Sequence, residues 1–271
     1  MRKIKLTIEY DGTDFSGWQV QCSDQASEVE KAAAERTVQG SVEYALSRVC
    51  KQPVRIAGAS RTDAGVHARG QTASFLLPDD VIVPTDELCM ALNGNMDKDV
   101  SAVLAEEMPI DFHAQRDSCG KIYSYSLFSR RQRSPMLRRT HWQVRYKLDV
   151  PRMREASRAL VGTHDFTSFA TRLRLIQEMR AEEGKRPLQT VREIRSIDIR
   201  EDSAMPGRSV IWIEGSGFLY QMVRTIAGSL VDVGRGYRKA EWMAEALAAK
   251  DRRKAGPTAP PNGLCLETVL Y

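Results

Sequence analysis

Val54-Arg55-Ile56-Ala57-Gly58-Ala59-Ser60-Arg61-Thr62-Asp63-Ala64-Gly65-Val66-His67-Ala68-Arg69-Gly70-Gln71-Thr72-Ala73-Ser74-Phe75-Leu76-Leu77 is the stretch on which the fold turns. Its apolar ends, Val54–Ala57 and Gln71–Leu77, are predicted strands, and residues 61–68 the loop that joins them at one end of a sheet. The loop is chemically dense for a short connection. A carboxylate, Asp63, stands between the guanidinium of Arg61 and the flexible Gly65, and Ala64 and Ala68 put no bulk in the way of a large substrate. On residue types alone a second reading stays open, in which Thr62 and Asp63 form the turn and Arg61 is a surface charge.

Outward from this loop the chain reads as alternating strands and helices. Ile4, Leu6, Ile8 and Tyr10 fall on one side of a period-two strand that ends in the turn Tyr10-Asp11-Gly12-Thr13. Val38, Val42, Leu46 and Val49 recur at helical spacing after Thr37, and the polar Ser23–Arg36 between them reads as an inserted loop or short helix. Pro84 opens a helix through Leu88 and Leu92, and Val100–Glu106 is a further strand. The second half repeats this order. Strands are predicted at Tyr123–Phe128, Trp142–Tyr146, Val191–Arg200 and Val210–Gly215, with one helix from Pro151 to Gly162 and another from Phe218 to Val233. Gln177–Pro187 is charged and apolar-poor, and is expected to be a mobile surface excursion. Two α+β halves of similar order suggest domains at 1–113 and 114–271.

Bulk properties narrow the partner. The 271 residues exceed what one core usually organises. Met1–Tyr10 mixes charged and apolar residues where a signal peptide needs a continuous apolar run, and no later run is long enough to span a bilayer, so a soluble, cytoplasmic protein is expected. Cys22, Cys50, Cys89, Cys119 and Cys265 are scattered without a C-x-x-C pair, so neither a disulfide nor a structural metal is expected. The net charge of +5 is mild, but its distribution is uneven. From Arg116 to Lys147 lie nine cations against one acid, Asp117, interleaved with Tyr123, Tyr125, Phe128, Trp142 and Tyr146. Cations mixed with stackable rings suit a nucleic-acid groove, and a solvated basic face over ordinary strand aromatics is the alternative. No phosphate-cradling P-loop occurs, and Gly215-Ser216-Gly217 has Tyr220 where a dinucleotide fingerprint needs its third glycine.

The loop at Arg61–Ala68 resembles the signature of the tRNA pseudouridine synthases of the TruA family. Further blocks resemble that family in its order: Tyr10-Asp11-Gly12-Thr13-Asp14-Phe15-Ser16-Gly17-Trp18-Gln19, Thr37-Val38-Gln39-Gly40, Gly120-Lys121-Ile122-Tyr123-Ser124-Tyr125, Gly162-Thr163-His164-Asp165-Phe166, the segment Gly215–Arg224 and the segment Ala259–Leu266. The similarity spans nearly the whole chain. It implies an α/β (α+β) fold of two ferredoxin-like, RRM-like halves whose sheets join into one mixed, mainly antiparallel sheet, with helices behind and a central RNA-binding cleft. It implies an isomerase acting on uridines of the tRNA anticodon stem-loop, at tRNA positions 38–40, as a homodimer and without metal or nucleotide cofactor.

Residue by residue, the resemblance makes Asp63 the nucleophile, Arg224 its ion-pair partner and Tyr123 the ring that stacks on uracil. Leu264 and Leu266 become apolar wall; Arg61 and Thr62 join the substrate side, Arg61 entering the gap that a flipped nucleotide leaves. Arg130, Arg131 and Arg133 are expected to meet the tRNA backbone, and His67 is structural. Ser60 stands where the family often has glycine, and residues 23–36 and 179–185 are longer than its pattern. Two other classes remain open on sequence: a tRNA-binding protein without catalysis, which has no use for Asp63, and a nicotinamide oxidoreductase, which needs the 215–217 turn to bind a dinucleotide.

Overall fold

Strand formation starts where alternation is cleanest. In β1 (Arg2–Tyr10) the side chains of Ile4, Leu6, Ile8 and Tyr10 are buried, with half-buried or exposed polar residues between them. The computed structural model describes residues 1–19 and 36–271, so all of the expected insertion Ser23–Arg36 except Arg36 lies outside the described residues. The chain forms two compact units, Met1–Cys119 with Cys265–Tyr271, and Gly120–Leu264.

In the first unit β1 lies between β3 (His67–Leu77) and β4 (Val100–Met108), antiparallel to both. The short β2 (Ala57–Gly58) pairs antiparallel with β3 at Ser74 and Ala73, and β10 (Leu264–Leu270) pairs parallel with the start of β3, Cys265 opposite His67 and Leu266 opposite Ala68. Helix α1 (Val38–Cys50) begins at Thr37, whose hydroxyl accepts the Gly40 amide, and buries Val38, Val42, Ala45 and Leu46. It touches α2 (Thr85–Asn93), which follows Pro84 and packs on β4. Burying Ile4, Leu6 and Ile8 of β1 completely contributes roughly 1.5–3 kcal/mol each to this core.

The second unit is a sheet in the order β5 (Gly120–Ser129), β9 (Arg208–Gly215), β8 (Val191–Glu201), β7 (Gly162–Asp165), all antiparallel, with β6 (Trp142–Val144) parallel on β5. Its helices are α3 (Val150–Ser157), capped by the Asp149 carboxylate, α4 (Leu173–Glu182), α5 (Met222–Gly234) and α6 (Trp242–Ala248). Every α5 residue except Arg224 is buried. A helix so enclosed needs small side chains at its closest contact, and at Gly228 an added Cβ would lie 1.9 Å from the Pro257 carbonyl oxygen. Each unit is therefore a largely antiparallel sheet with one parallel pair and flanking helices, the α/β class that the sequence predicts.

Several local expectations need correction. Of the strand expected at Val54–Ala57 only Ala57 is in one, as the first residue of β2; Val54–Ile56 pair with no strand, although Val54 and Ile56 are buried. The Glu43 carboxylate of α1 accepts the Ile56 amide at 3.1 Å and Arg55 Nη1 at 2.8 Å, so a side chain takes the place of a ladder partner. The helix expected from Phe218 starts at Met222, because Gln221 adopts a left-handed conformation (φ 57°) that interrupts the turn before it. Residues 177–182 of the expected mobile excursion belong to α4, supported by the Arg174–Glu178 pair at 2.8 Å and by Gln177, which exchanges hydrogen bonds with the Leu188 backbone.

Candidate active site

The loop between β2 and β3 is clasped by the segment that follows β1. Trp18 N donates to Thr62 O at 3.1 Å, Gly65 N to Phe15 O at 3.4 Å, and Val66 N closes a turn on Asp63 O at 3.2 Å. From the sheet side, Gln71 Nε2 donates to Ser60 O at 2.7 Å and Ala59 N to Thr72 O at 2.7 Å. The Tyr10 hydroxyl lies 2.7 Å from Thr62 Oγ1 in a buried contact, and the Tyr10 ring sits among those of Phe15 and Trp18, with centroids 6.5 and 6.3 Å away.

Two glycines make so close an approach feasible. A Cβ at Gly12 would fall 1.9 Å from Val66 O, so no side chain fits without separating the clasp from the loop. Gly17 has φ 106°, which L-residues rarely adopt, and an added Cβ would stand 2.9 Å from Thr62 O. The far end of the clasp is held by charge. Arg36 lies 4.0 Å over the Phe15 ring and grips Asp99 through two hydrogen bonds of 2.6 and 2.7 Å, with Asp97 a further 2.7 Å contact. Those bonds hold the Asp99 carboxyl below its usual range and raise the guanidinium correspondingly, so both stay ionised across ordinary pH.

Held this way, Thr62 is buried, Asp63 is half-buried, and Arg61 and Ala64 on either side of Asp63 are exposed. Asp63 keeps part of its surface exposed while the backbone of its loop is fixed from three directions. His67 serves the scaffold: its Nδ1 accepts the Gly12 amide at 3.1 Å. The Asp11 carboxylate stands at the same 3.1 Å from that nitrogen. Cys265, opposite His67 in β10, does not compete as a nucleophile, since burial pushes its thiol up to about 12 and keeps it protonated. Leu266, the next residue, is fully buried.

The other expected site residues belong to the second unit. Tyr123 is a buried residue of β5, its ring edge-on to Phe218 with centroids 5.3 Å apart. Tyr125 on the same face donates its hydroxyl to Pro260 O at 2.7 Å, and burial raises the phenol well above its ordinary value. Arg224, half-buried on α5, sends Nε to Ala259 O at 2.8 Å while its own carbonyl accepts the Ala259 amide at 3.1 Å, so the segment at 259 fixes the root of the guanidinium. Leu264 is buried. Arg130, Arg131 and Arg133 are exposed, but Arg130 bonds the carbonyls of Gln132 and Arg133 at 3.0 and 3.1 Å and so shapes its own loop. Among the described residues no group of three or more His, Cys, Asp or Glu side chains could hold a metal ion, and no helix is long and apolar enough to cross a membrane.

Residues missed on sequence are Tyr10 and Ala259. Tyr10 closes an apolar alternation and so reads as core, and nothing in its spacing announces that its hydroxyl reaches the residue next to Asp63. Ala259 acts through its backbone alone, for which residue type carries no signal.

Residues 6–116 and 156–271 match the family model described as tRNA pseudouridine synthase. The whole chain is 44% identical, over 272 residues, to the tRNA pseudouridine synthase A of Myxococcus xanthus, covering 92% of that protein. It is 38% identical over 271 residues both to tRNA pseudouridine synthase A 2 of Clostridium perfringens and to tRNA pseudouridine synthase A of Thermotoga maritima, covering each in full.

Proposed function

The chain belongs to the tRNA pseudouridine synthases, and from that premise we propose that Asp63 is the nucleophile with which it isomerises uridine in the tRNA anticodon stem-loop, at positions 38–40. The observation that carries this reading is the half-buried carboxylate of Asp63 on a loop whose backbone is pinned at Ser60, Thr62, Asp63 and Gly65. Fixing the attacking atom before substrate arrives removes part of the entropic barrier to a covalent step.

The chemistry needs no cofactor because it is balanced within the nucleotide. The carboxylate adds to C6 of uracil or to the ribose C1′, and the N1–C1′ bond breaks. The base turns, C5 joins C1′, the C5 proton leaves, N1 gains a proton, and the carboxylate departs unchanged. No electron is gained or lost overall. Arg224 is assigned as the ion-pair partner of Asp63, and Tyr123 as the ring on the uracil. Leu264 and Leu266 supply apolar wall, Arg61 faces the RNA and fills the place of the extruded nucleotide, and Thr62 serves the substrate side through the position that its buried contact with Tyr10 gives to Asp63. Arg131 and Arg133, with Arg130 shaping their loop, take phosphates.

The finer architecture is part of the same proposal: each unit a ferredoxin-like, RRM-like half, and the enzyme a cytoplasmic homodimer in which one tRNA touches both subunits. The succession β1, α1, β3, α2, β4 with antiparallel pairing supports the reading of the first half. Sedimentation showing only monomer at working concentration would remove the dimer.

The test of the catalytic reading is tritium release from tRNA carrying 5-tritiated uridine. Asp63→Asn is expected to abolish release while tRNA binding persists. Release at the wild-type rate would sink the assignment, and equal loss of release and binding would count against a purely catalytic role for Asp63.

A further inference from the structure

Beyond the residues assigned above, the second unit carries a series of guanidinium–ring stacks. Arg235 lies over Tyr146 at 5.6 Å and over Tyr237 at 4.7 Å; Arg238 lies over Tyr237 at 5.0 Å and over Trp242 at 5.0 Å. Tyr146, Arg235, Tyr237, Arg238 and Trp242 thus form a ladder of ring–cation contacts in which each guanidinium lies near two rings and Tyr237 is shared.

The ladder is built by the end of α5. The Asp232 carbonyl accepts the amides of Tyr237 and Arg238 at 3.0 and 3.1 Å, and Gly236 takes the left-handed conformation (φ 76°) that turns the chain. The buried Asp232 carboxylate grips Arg235 at 3.0 Å through Nε and 2.9 Å through Nη2, fixing that guanidinium plane. Cations at a helix C-terminus are favoured by its dipole, which steadies the arrangement further.

A ladder formed only to complete a core would be covered. Tyr237 instead is 63% exposed and Tyr146 57% exposed, and Arg238 and Lys239 are exposed beside them. Arg145 and Lys147, flanking Tyr146, add two more exposed cations. Exposed rings beside unburied positive charges match a ligand that is itself flat and anionic. Unpaired nucleotides have both properties, with bases that stack on rings and guanidinium planes and phosphates that meet the cations. An acidic protein would use the charges and leave the planes idle.

We infer that Tyr146, Arg235, Tyr237, Arg238 and Trp242 form a nucleobase-stacking surface that takes an unpaired base of tRNA and its adjoining phosphate. The inference rests on tRNA as the substrate, but not on which residue is the nucleophile.

The test is the affinity of the purified protein for unmodified tRNA, measured over a range of salt concentrations, for Tyr237→Ala, Arg238→Ala and Arg238→Lys. All three changes are at exposed positions, and thermal unfolding checks that each variant folds. Tyr237→Ala should weaken binding by about 5- to 150-fold with an unchanged salt slope, the range expected for one stacked base. Arg238→Lys keeps the charge and loses the plane, so it should weaken binding without changing the slope, whereas Arg238→Ala should also flatten the slope by about 0.7–0.9. A fully paired RNA duplex should bind Tyr237→Ala and wild type alike. Wild-type tRNA affinity in both Tyr237→Ala and Arg238→Lys, or equal losses on tRNA and duplex, would overturn the inference. Normal tRNA binding by these variants alongside an inactive Asp63→Asn removes this surface alone; turnover surviving in Asp63→Asn removes the nucleophile assignment alone.

Discussion

Thr62, the residue before Asp63, is tied twice to the rest of the first unit. Its carbonyl accepts from Trp18 and its hydroxyl meets Tyr10, so the residue before the carboxylate is held by backbone and side chain together. Tyr10→Phe removes one oxygen and leaves the ring among Phe15 and Trp18. It leaves Thr62 Oγ1 short of a buried partner, at a cost of about 1–3 kcal/mol. Small misplacements of a reacting group cost rate far more than they cost binding, so kcat is expected to fall about 10- to 100-fold while the dissociation constant for tRNA stays near wild type. Steady-state kinetics and direct binding check this, and a Tyr10→Phe, Thr62→Val cycle should show strong coupling. A loss confined to affinity would count against a positioning role for the hydroxyl.

Helix α5 is the element whose packing the sequence reports least directly. Its apolar stripe at Met222, Val223, Ile226 and Leu230 is plain in the periodicity, but Ala227, Gly228 and Ser229 on the remaining faces are equally buried. Ser229 explains part of this, since its hydroxyl accepts the Gly256 amide at 2.9 Å and donates to Thr225 O at 2.8 Å, bringing the 256–259 segment onto the helix. Gly228→Ala sets two effects against each other. Helix propensity favours alanine by about 0.8–1.0 kcal/mol. Against that, the new methyl would sit 1.9 Å from a backbone carbonyl, and relieving such overlap costs about 1–3 kcal/mol or more. Overlap should win, so denaturant unfolding is expected to show a net loss of stability. Because Ala259 must move with Pro257, its hold on Arg224 should loosen and activity should fall beyond what the lost stability explains. A more stable variant would show that the segment yields freely.

For the whole molecule the charge pattern makes a further prediction. The formal charge of +5 understates the local concentration of cations between Arg116 and Lys147, and affinity for a polyanion follows the phosphates that are neutralised locally. Replacing exposed Arg131 and Arg133 by alanine should reduce the salt slope of tRNA binding by about 0.7–0.9 for each phosphate no longer neutralised. Arg130 is left intact because its bonds to Gln132 and Arg133 shape the loop, and its removal would mix charge with conformation. An unchanged slope would move the phosphate-binding surface elsewhere on the protein.

The amino-acid sequence by itself determined the α/β class, most strand and helix positions, the loop carrying Asp63 and, through ordered motif blocks, the family. These follow from periodicity, caps and residue chemistry, which are local properties. Only the tertiary structure decided that Val54–Ile56 bonds to Glu43 instead of a strand, that Gln221 delays α5, and that Leu173–Glu182 is helical. It alone returned the last seven residues to the first unit, brought the Tyr10 hydroxyl to Thr62, and stacked Tyr146 with Arg235. The left-handed turn at Gln221 and the Arg174–Glu178 pair are local but too short to mark a period; the others depend on a partner remote in the chain, and hydrogen bonds and close packing between remote residues leave no spacing pattern in the segments that meet.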